Sequence, residues 1–426
     1  MKFKSSLILA LVVCGLLGAQ IDLRKISDCS ILYRLAQHFS KTGDFSVDFP
    51  VINGHEFYLK EGKKYYLRPP GYALMAAGVD KVLPDRLSLI WQDIFVSLIC
   101  GVMGAGLLTF VFAKMTKIKE SGFIAVTVAL GSPLTVYLTF LWHESMGAVV
   151  LALALACFHL EKKYWGAFFG GLTLLFSQFA FVTATTFFGT SLAIDIFSKS
   201  KRPDKNELWG QGLAFGGAVG LMSLVDTLLL GTPLPLQSLS PIDISLSPTF
   251  LRTNLYIYFI SGASLTKNFP VFLIILFVPF IAIFKTKLRK EFLPLVVSSI
   301  FSLISLLLNL SYGECQVGPR HMMPLVVLGA YSFLCLAEMA PEISSWLRWI
   351  LGPLALISIF FGIMNSSGYL ANCDMTTPTW AGTSFFSIFE LSNKYFPLRV
   401  WGYGLAALAI LFQVLLSFPI RRHREY

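Results

Sequence analysis

Two arginines stand beside prolines in polar stretches that separate long apolar segments: Arg68 in "YYLRPP" and Arg320 in "GPRH". Proline fixes its own φ and biases the preceding residue towards extended geometry, so each arginine is attached to a stiff backbone. The planar guanidinium group binds phosphate oxygens bidentately, which makes both residues candidate phosphate-binding groups. The alternative is that both side chains reach out to lipid phosphates, as boundary arginines commonly do.

Two carboxylates are candidate acid–base groups. Asp28 follows the first apolar segment, where a partly dehydrated carboxylate becomes a better proton acceptor. Because Asp28 also precedes "CSILYRLAQ", it can equally be a helix N-cap, and both roles can hold. Glu144 and its neighbour His143 lie in a short connection between apolar segments, where ionisable groups are functional by default, although a polar interfacial turn is the alternative. Asp28, His143 and Glu144 together offer oxygen and nitrogen ligands for a divalent cation.

The composition requires that these residues be positioned by membrane helices. The chain has 426 residues, of which 55% are hydrophobic and only 14% charged, and its mean hydropathy is +0.68. Apolar runs of about 18 or more residues are typical of membrane helices. The sequence predicts an all-α integral membrane protein with about twelve crossings (11 to 13), at residues 5–20, 87–113, 121–140, 145–160, 164–179, 183–198, 208–231, 269–285, 292–311, 321–339, 346–365 and 397–418.

The distribution of basic residues gives the orientation. Net charge is +10, and the lysines and arginines concentrate in alternate short connections such as "KMTKIKE", "SKSKRPDK" and "KTKLRK". The positive-inside bias places these connections and both termini in the cytoplasm, beside anionic lipid, and no nucleic-acid partner is indicated. The apolar start of the chain also fits a cleavable signal peptide, but a retained first helix is favoured. The pair of crossings at 164–179 and 183–198 is expected to break near Ser177 to Thr185, with one re-entrant hairpin as the alternative.

The whole chain, residues 1–426, is interpreted as one membrane domain with long outer segments at 20–86, 232–267 and 366–396. The first of these carries apolar residues at helical spacing, which predicts an amphipathic helix at the membrane surface that ends at Gly43. "NGHEFYLKEGKKYYL" is typical of a short hairpin with Lys63 and Lys64 in its solvated part. Of seven cysteines, Cys315 and Cys373 could form a disulfide, or both could be free thiols.

Several of these stretches carry a family resemblance. The helix ending in "TGDFS", followed by "GKKYYLRPPGYALM", resembles the GT-C superfamily of glycosyltransferases, and within it the bacterial relatives of dolichyl-phosphate-mannose protein mannosyltransferases and lipid A aminoarabinose transferases. The later stretches "PLTVYLTFLWHESMGAVVLALAL", "LLLGTPLPLQSLS" and "SYGECQVGPRHMMPLVVLGAYSF" occur in the family's order. Two features depart from it, because Asp28 is followed by Cys29 instead of a second acid, and "FSQFAF" has no arginine.

The resemblance implies an enzyme that moves a sugar, with inversion, from a polyprenyl-phosphate carrier to an acceptor at the outer face of the inner (plasma) membrane. It implies catalytic roles for Asp28 and Glu144, and binding of the donor phosphate by Arg68 and Arg320. Tyr65, Tyr66, His143 and His321 are then expected to line the substrate site, and a divalent cation is a possible cofactor. Two alternatives stay open, namely a secondary transporter, and an inactive relative that binds a lipid-linked sugar.

Overall fold

The computed structural model describes residues 3–19, 28–47, 57–84, 95–115, 121–139, 143–197, 205–232, 247–262, 264–284, 289–308 and 320–368, with two isolated positions at 404 and 408. The expected crossing at 397–418, the connections that hold Cys315 and Cys373, and most of the outer segment 366–396 lie outside these residues. Within them, regular structure is helical except for one two-stranded antiparallel sheet.

The first half of the described chain contains the following elements. They are α1 (Phe3–Gly18), α2 (Asp28–Thr42), β1 (Phe57–Lys60), β2 (Lys63–Tyr66), α3 (Gly71–Val82), a π-helical segment (Ser97–Val102) leading into α4 (Met103–Met115), α5 (Ser121–Leu130), α6 (Pro133–Thr139), α7 (His143–His159), and α8 (Lys163–Leu172) with a 3-10 turn (Thr173–Leu175). The predicted helix at residues 145–160 thus corresponds to α7, and the predicted hairpin corresponds to β1 and β2.

The second half begins with the long helix α9 and ends with α16. The elements are α9 (Gln178–Phe197), α10 (Lys205–Leu230), α11 (Pro248–Phe259), α12 (Leu265–Asn268), α13 (Val271–Ile283), α14 (Arg289–Leu308), a 3-10 turn (Arg320–Met322) leading into α15 (Met323–Met339), and α16 (Pro341–Gly368). The outer segment predicted at 232–267 therefore contains α11 and the start of α12.

Five of the described helices are long and apolar enough to cross a membrane, and a sixth crossing results if the bent pair α5 and α6 is one span. A helical, membrane-type fold is therefore confirmed, whereas the count of twelve crossings is not. The expected straight helix at 121–140 bends by 58° between Leu130 and Pro133. There the Ser132 hydroxyl accepts a 3.1 Å hydrogen bond from the Leu134 amide. This contact caps the start of α6, where the helix is interrupted.

The break predicted near Ser177 to Thr185 lies at Ser177, because residues 178–185 already belong to α9, which is a helix of 20 residues. α8 passes into a 3-10 turn, and α9 begins at Gln178, directly after Ser177. The backbone amide of Ala180 donates a 3.3 Å hydrogen bond to the Ser177 hydroxyl, which is the N-cap contact expected at a helix start. Because the chain reverses here, the first turn of α9 is held against the first turn of α7.

The first outer segment folds onto the protein. The apolar side of α2, with Ile31, Leu32 and Leu35, is buried in the protein core and packs against α3. The expected surface helix is therefore correct as a helix, but its apolar face is covered by protein and not by lipid. Gly43, with φ of +72°, ends α2 in the left-handed conformation that favours glycine. In the hairpin that follows, Phe57 pairs with Tyr66 and Lys60 pairs with Lys63.

α7 and α15 pack side by side near the centre of the protein. Glu144 in the first turn of α7 lies beside Arg320 at the start of α15, and His159 at the end of α7 lies beside Glu338 at the end of α15. The two helices are therefore parallel. Since both begin at the same end of the protein, that end collects the polar residues of their first turns.

Candidate functional site

Glu144 and Arg320 form the centre of the candidate site. Glu144 is in the first turn of α7, and Arg320 is the first residue of the 3-10 turn before α15. The Glu144 Oε1 and Arg320 Nε atoms are 3.5 Å apart, and each side chain is only 7% exposed. A buried charge lowers the stability of the folded protein unless an opposite charge pairs with it, so the contact between Glu144 and Arg320 is strongly favoured.

His321 completes this cluster. Its Nε2 atom accepts a 3.0 Å hydrogen bond from Arg320 Nε and lies 3.6 Å from Glu144 Oε1. A ring nitrogen that accepts from a guanidinium carries no proton, so this geometry assigns the neutral imidazole with its proton on Nδ1. The ion pair of Glu144 is accordingly made with Arg320 and not with His321. His321 thus fixes the Nε side of the guanidinium from a second direction.

The start of α9 forms one wall of the cluster. The Phe179 ring lies 4.6 Å from the His321 ring, measured between centroids, with 35° between their planes. Gly147, one turn after Glu144, allows this approach, because a Cβ atom there would clash with Ser177 and come within 3.3 Å of the Ala180 side chain. The close packing of α7 on α9 therefore positions both Glu144 and Phe179.

The loop with Arg68 lies at the same end of the protein. Gly71, at the start of α3, is so close to the 3-10 turn before α9 that a Cβ atom would lie 2.6 Å from the Leu175 carbonyl oxygen. Arg68 is partly buried, and its guanidinium carbon is 6.0 Å from the centroid of the Tyr66 ring. A cation–π contact of this kind stabilises the arginine in the loop. The prolines of "RPPG" thus bring Arg68 to the side of the protein where α9 and α7 begin.

α11 lies within electrostatic range of the cluster. Tyr258 is 2% exposed, and its hydroxyl group donates a 3.5 Å hydrogen bond to the Leu306 carbonyl oxygen. Burial raises the pKa of the Tyr258 phenol, and the positive charge of Arg320 opposes that rise. Asn254 donates a 2.8 Å hydrogen bond to the Leu307 carbonyl oxygen. α11 therefore caps the end of α14 and comes within electrostatic reach of Arg320.

The described side chains do not form a metal site. Among them, no group of three or more His, Cys, Asp or Glu side chains is close enough to hold an ion. Glu144 is the member of the expected cation set whose side chain is described, and its Oε1 atom already faces a guanidinium. A positive neighbour at that distance competes with a divalent cation for the same oxygen. In this structure the Oε1 atom of Glu144 is thus paired with Arg320, and metal binding by the set with Asp28 and His143 stays a prediction.

The structure brings Glu144, Arg320 and His321 into contact and places Arg68 at the same end. Tyr65 and Tyr66 are buried, so here they pack beneath the loop, and their contact with a substrate stays a prediction. Asp28 begins α2 and His143 begins α7, but their side chains lie outside the described part of the structure. Phe179 and Tyr258 were not predicted, because nothing in the spacing of one aromatic residue among many marks it as a neighbour of Arg320.

Two of the three comparisons with known proteins find no match, since neither a family model nor a curated protein matches the chain. Among solved structures, the chain is similar to the apo crystal structure of the Archaeoglobus fulgidus oligosaccharyltransferase, with a TM-score of 0.50 and 12% sequence identity. The match covers 84% of this chain and 55% of that one, so the chain spans about half the length of its solved neighbour. At this identity the likeness concerns the fold. The chain therefore shares its fold with this archaeal oligosaccharyltransferase.

Proposed function

We propose that this protein is a membrane glycosyltransferase that transfers a sugar from a polyprenyl-phosphate carrier to an acceptor at the outer face of the membrane, with inversion. The observation that carries the proposal is the buried arginine of the cluster, set in a GT-C fold. Arg320 is 6% exposed and is oriented by Glu144 and His321. A fixed, dehydrated guanidinium is the group that best stabilises a departing phosphate.

The contact between Glu144 and Arg320 supports different roles for the two candidate carboxylates. In an inverting transfer, the base and the departing phosphate stand on opposite faces of the sugar. Because Glu144 is 3.5 Å from Arg320, it stands on the phosphate side. We therefore assign Glu144 to positioning Arg320, and Asp28, which begins α2, to removing the proton of the acceptor hydroxyl. Arg68 supplies a second positive charge for the same phosphate.

Membranes that contain the full chain test the proposal with radiolabelled undecaprenyl-phosphate and dolichyl-phosphate sugars as donors. Arg320→Ala should lower transfer at least about hundredfold, because it removes the principal group that stabilises the leaving phosphate. Arg252→Ala is the matched control, since Arg252 is an exposed arginine on α11. Transfer that is unchanged in both Arg320→Ala and Asp28→Ala would overturn this function.

A second measurement separates the two roles. Donor binding to the purified protein should weaken in Arg320→Ala and persist in Asp28→Asn, because only the arginine contacts the phosphate. Turnover with bound donor should be lost in Asp28→Asn. Donor binding without turnover in the unmodified protein would instead identify an inactive relative that holds the lipid-linked sugar.

A further inference from the structure

A cavity lies at the opposite end of α7 and α15 from the candidate site. Its volume is about 470 Å³, and it is lined by the ends of α7 and α15, by α9, and by the start of α14. His159 at this end is fifteen residues beyond Glu144, which corresponds to about 22 Å along the helix. The volume is within the range of about 300 to 1,000 Å³ that is typical of small-molecule sites.

The walls of this cavity are aromatic. The Phe158 and Phe187 ring centroids are 5.2 Å apart, and the Phe187 and Tyr331 centroids are 6.1 Å apart, both pairs meeting edge to face. His159 adds a fourth ring, 6.0 Å from Tyr331. These rings give the cavity an apolar aromatic lining, and an aromatic ring can contribute a cation–π contact to an organic cation.

The charged residues of the cavity carry more negative than positive charge. Among the residues that the structure describes, four carboxylates line it, against two lysines; the carboxylates are those of Glu161, Asp195, Glu291 and Glu338. One lysine, Lys163, is already bound to Asp195 at 3.6 Å and to Glu207, outside the cavity, at 3.0 Å. The Glu338 Oε2 atom is 3.3 Å from His159 Nε2, and the Glu338 side chain is 41% exposed. The described part of the lining thus combines aromatic rings with more carboxylates than lysines.

We propose that this cavity binds an organic ammonium ion that carries an apolar group. The ammonium group pairs with Glu338 and its neighbouring carboxylates, and the apolar group packs between the aromatic rings. An anion of the same shape is repelled by the excess of carboxylates, and a neutral analogue lacks both the ion pair and the cation–π contact. The site is independent of glycosyl transfer, because it shares no residue with the Arg320 cluster.

The test uses the full chain in nanodiscs of phosphatidylglycerol with phenethylammonium as the probe. Binding is measured by saturation-transfer NMR, with empty nanodiscs as the reference for adsorption to the lipid. 2-Phenylethanol is the matched neutral probe, since it has the same ring and chain length. The amine should bind at least about tenfold more tightly than the alcohol, because only the amine can pair with a carboxylate.

Three variants locate the binding. Glu338→Gln should weaken phenethylammonium binding about fivefold to tenfold, because one carboxylate of the site is lost. Lys290→Gln should strengthen it about twofold to threefold, because a competing cation at the cavity is removed, and loss of folding cannot imitate a gain. Glu342→Gln is the matched control, an exposed acid four residues after Glu338 that does not line the cavity, and it should leave affinity unchanged.

The source of the natural amine is distinguished by adding phosphatidylethanolamine to the nanodiscs. Competition with the probe would identify a lipid headgroup as the ligand, and unchanged probe binding would identify a soluble amine. Equal affinity for the amine and the alcohol would overturn the proposal. So would amine affinities that are the same in the unmodified protein, Glu338→Gln and Lys290→Gln.

Discussion

The two ends of the parallel pair α7 and α15 each carry an acid paired with a basic residue, but the pairs differ in burial. At the starting end, the side chains of Glu144 and Arg320 are each 7% exposed. At the far end, His159 is 19% exposed and Glu338 is 41% exposed. The distances are similar, at 3.5 and 3.3 Å, so the difference in environment and not in geometry separates the two ends.

Burial changes what each pair does for the protein. Water screens the far pair, so its two partners are nearly independent and the residues are available to a third group. The buried pair has lost its water, so removing either partner leaves a charge with no compensation. The end with Glu144 and Arg320 is therefore suited to holding one charge in a fixed place. The end with His159 and Glu338 is suited to binding another charged group.

The largest expected effect is on glycosyl transfer. Glu144→Ala should lower transfer about hundredfold, because Arg320 then loses the carboxylate that orients it, and a misplaced catalytic group costs about that much. Glu342→Ala, at the far end, removes an exposed acid and should leave transfer unchanged. The measurement is the radiolabelled transfer assay in membranes. Full transfer by Glu144→Ala would show that the orientation of Arg320 does not depend on this carboxylate.

The second effect is on stability. Glu144→Ala should lower the free energy of unfolding by about 3 to 5 kcal/mol, because it removes the carboxylate that pairs with a buried arginine. Glu338→Ala should lower it by less than about 1 kcal/mol, because its partly exposed pair is screened. Both values can be obtained from chemical denaturation of the purified protein in detergent. The double mutant Glu144→Gln, Arg320→Gln should lose less stability than the single mutants Glu144→Gln and Arg320→Gln lose in sum, and strict additivity of the two would contradict the pairing.

Sequence patterns predicted the local elements of this molecule well. α7, the hairpin and the break before α9 follow from apolar periodicity, alternating residues and turn residues, all of which act over a few neighbours. The bend between α5 and α6 was not predicted, because a straight and a bent membrane span can have the same run of apolar residues. The burial of the apolar face of α2 was also missed, since amphipathic spacing does not say whether lipid or protein covers that face.

The candidate site was predicted only in part. Arg320 and Glu144 stood out because polar residues between apolar segments are rare, and the structure places them in contact. Their 176-residue separation carries no local signal, so their pairing needed the parallel arrangement of α7 and α15. The contact of Phe179 with His321 likewise depends on the tertiary packing of α9, and one phenylalanine among 38 cannot be singled out.

A third, smaller effect tests whether packing keeps the starting end rigid. Gly147→Ala should destabilise the protein by about 1 to 3 kcal/mol and reduce transfer, because the new Cβ atom forces α9 away from α7. Gly189→Ala is the matched control, since a Cβ atom there has no neighbour within 4 Å and alanine favours a helix. Thermal unfolding and transfer are measured on the same preparations. Equal behaviour of the two variants would mean that α7 and α9 can separate without cost.

The smallest effect comes from an ion pair that is still more exposed than the far pair. Lys63 Nζ lies 2.6 Å from Asp44 Oδ2, with side chains 55% and 31% exposed, where the hairpin meets the end of α2. The hydrogen bond from Lys63 holds the pKa of the Asp44 carboxyl below its usual value of 3.8. Because the folded-state pKa is lowered, the stabilisation is present above pH 3.8 and disappears as the pH falls through the lowered pKa.

Asp44→Asn isolates this charge, because the asparagine oxygen can still accept the 2.9 Å hydrogen bond that the Ser46 amide donates to Asp44. The variant should melt slightly below the unmodified protein at pH 7, and the difference should shrink to nothing in acid. Added salt at pH 7 should reduce it as well, because an exposed pair is screened. A difference that persists in acid and in high salt would mean that Asp44 acts through its backbone turn and not through its charge. The exposure of the three ion pairs would then not predict the order of their contributions to stability.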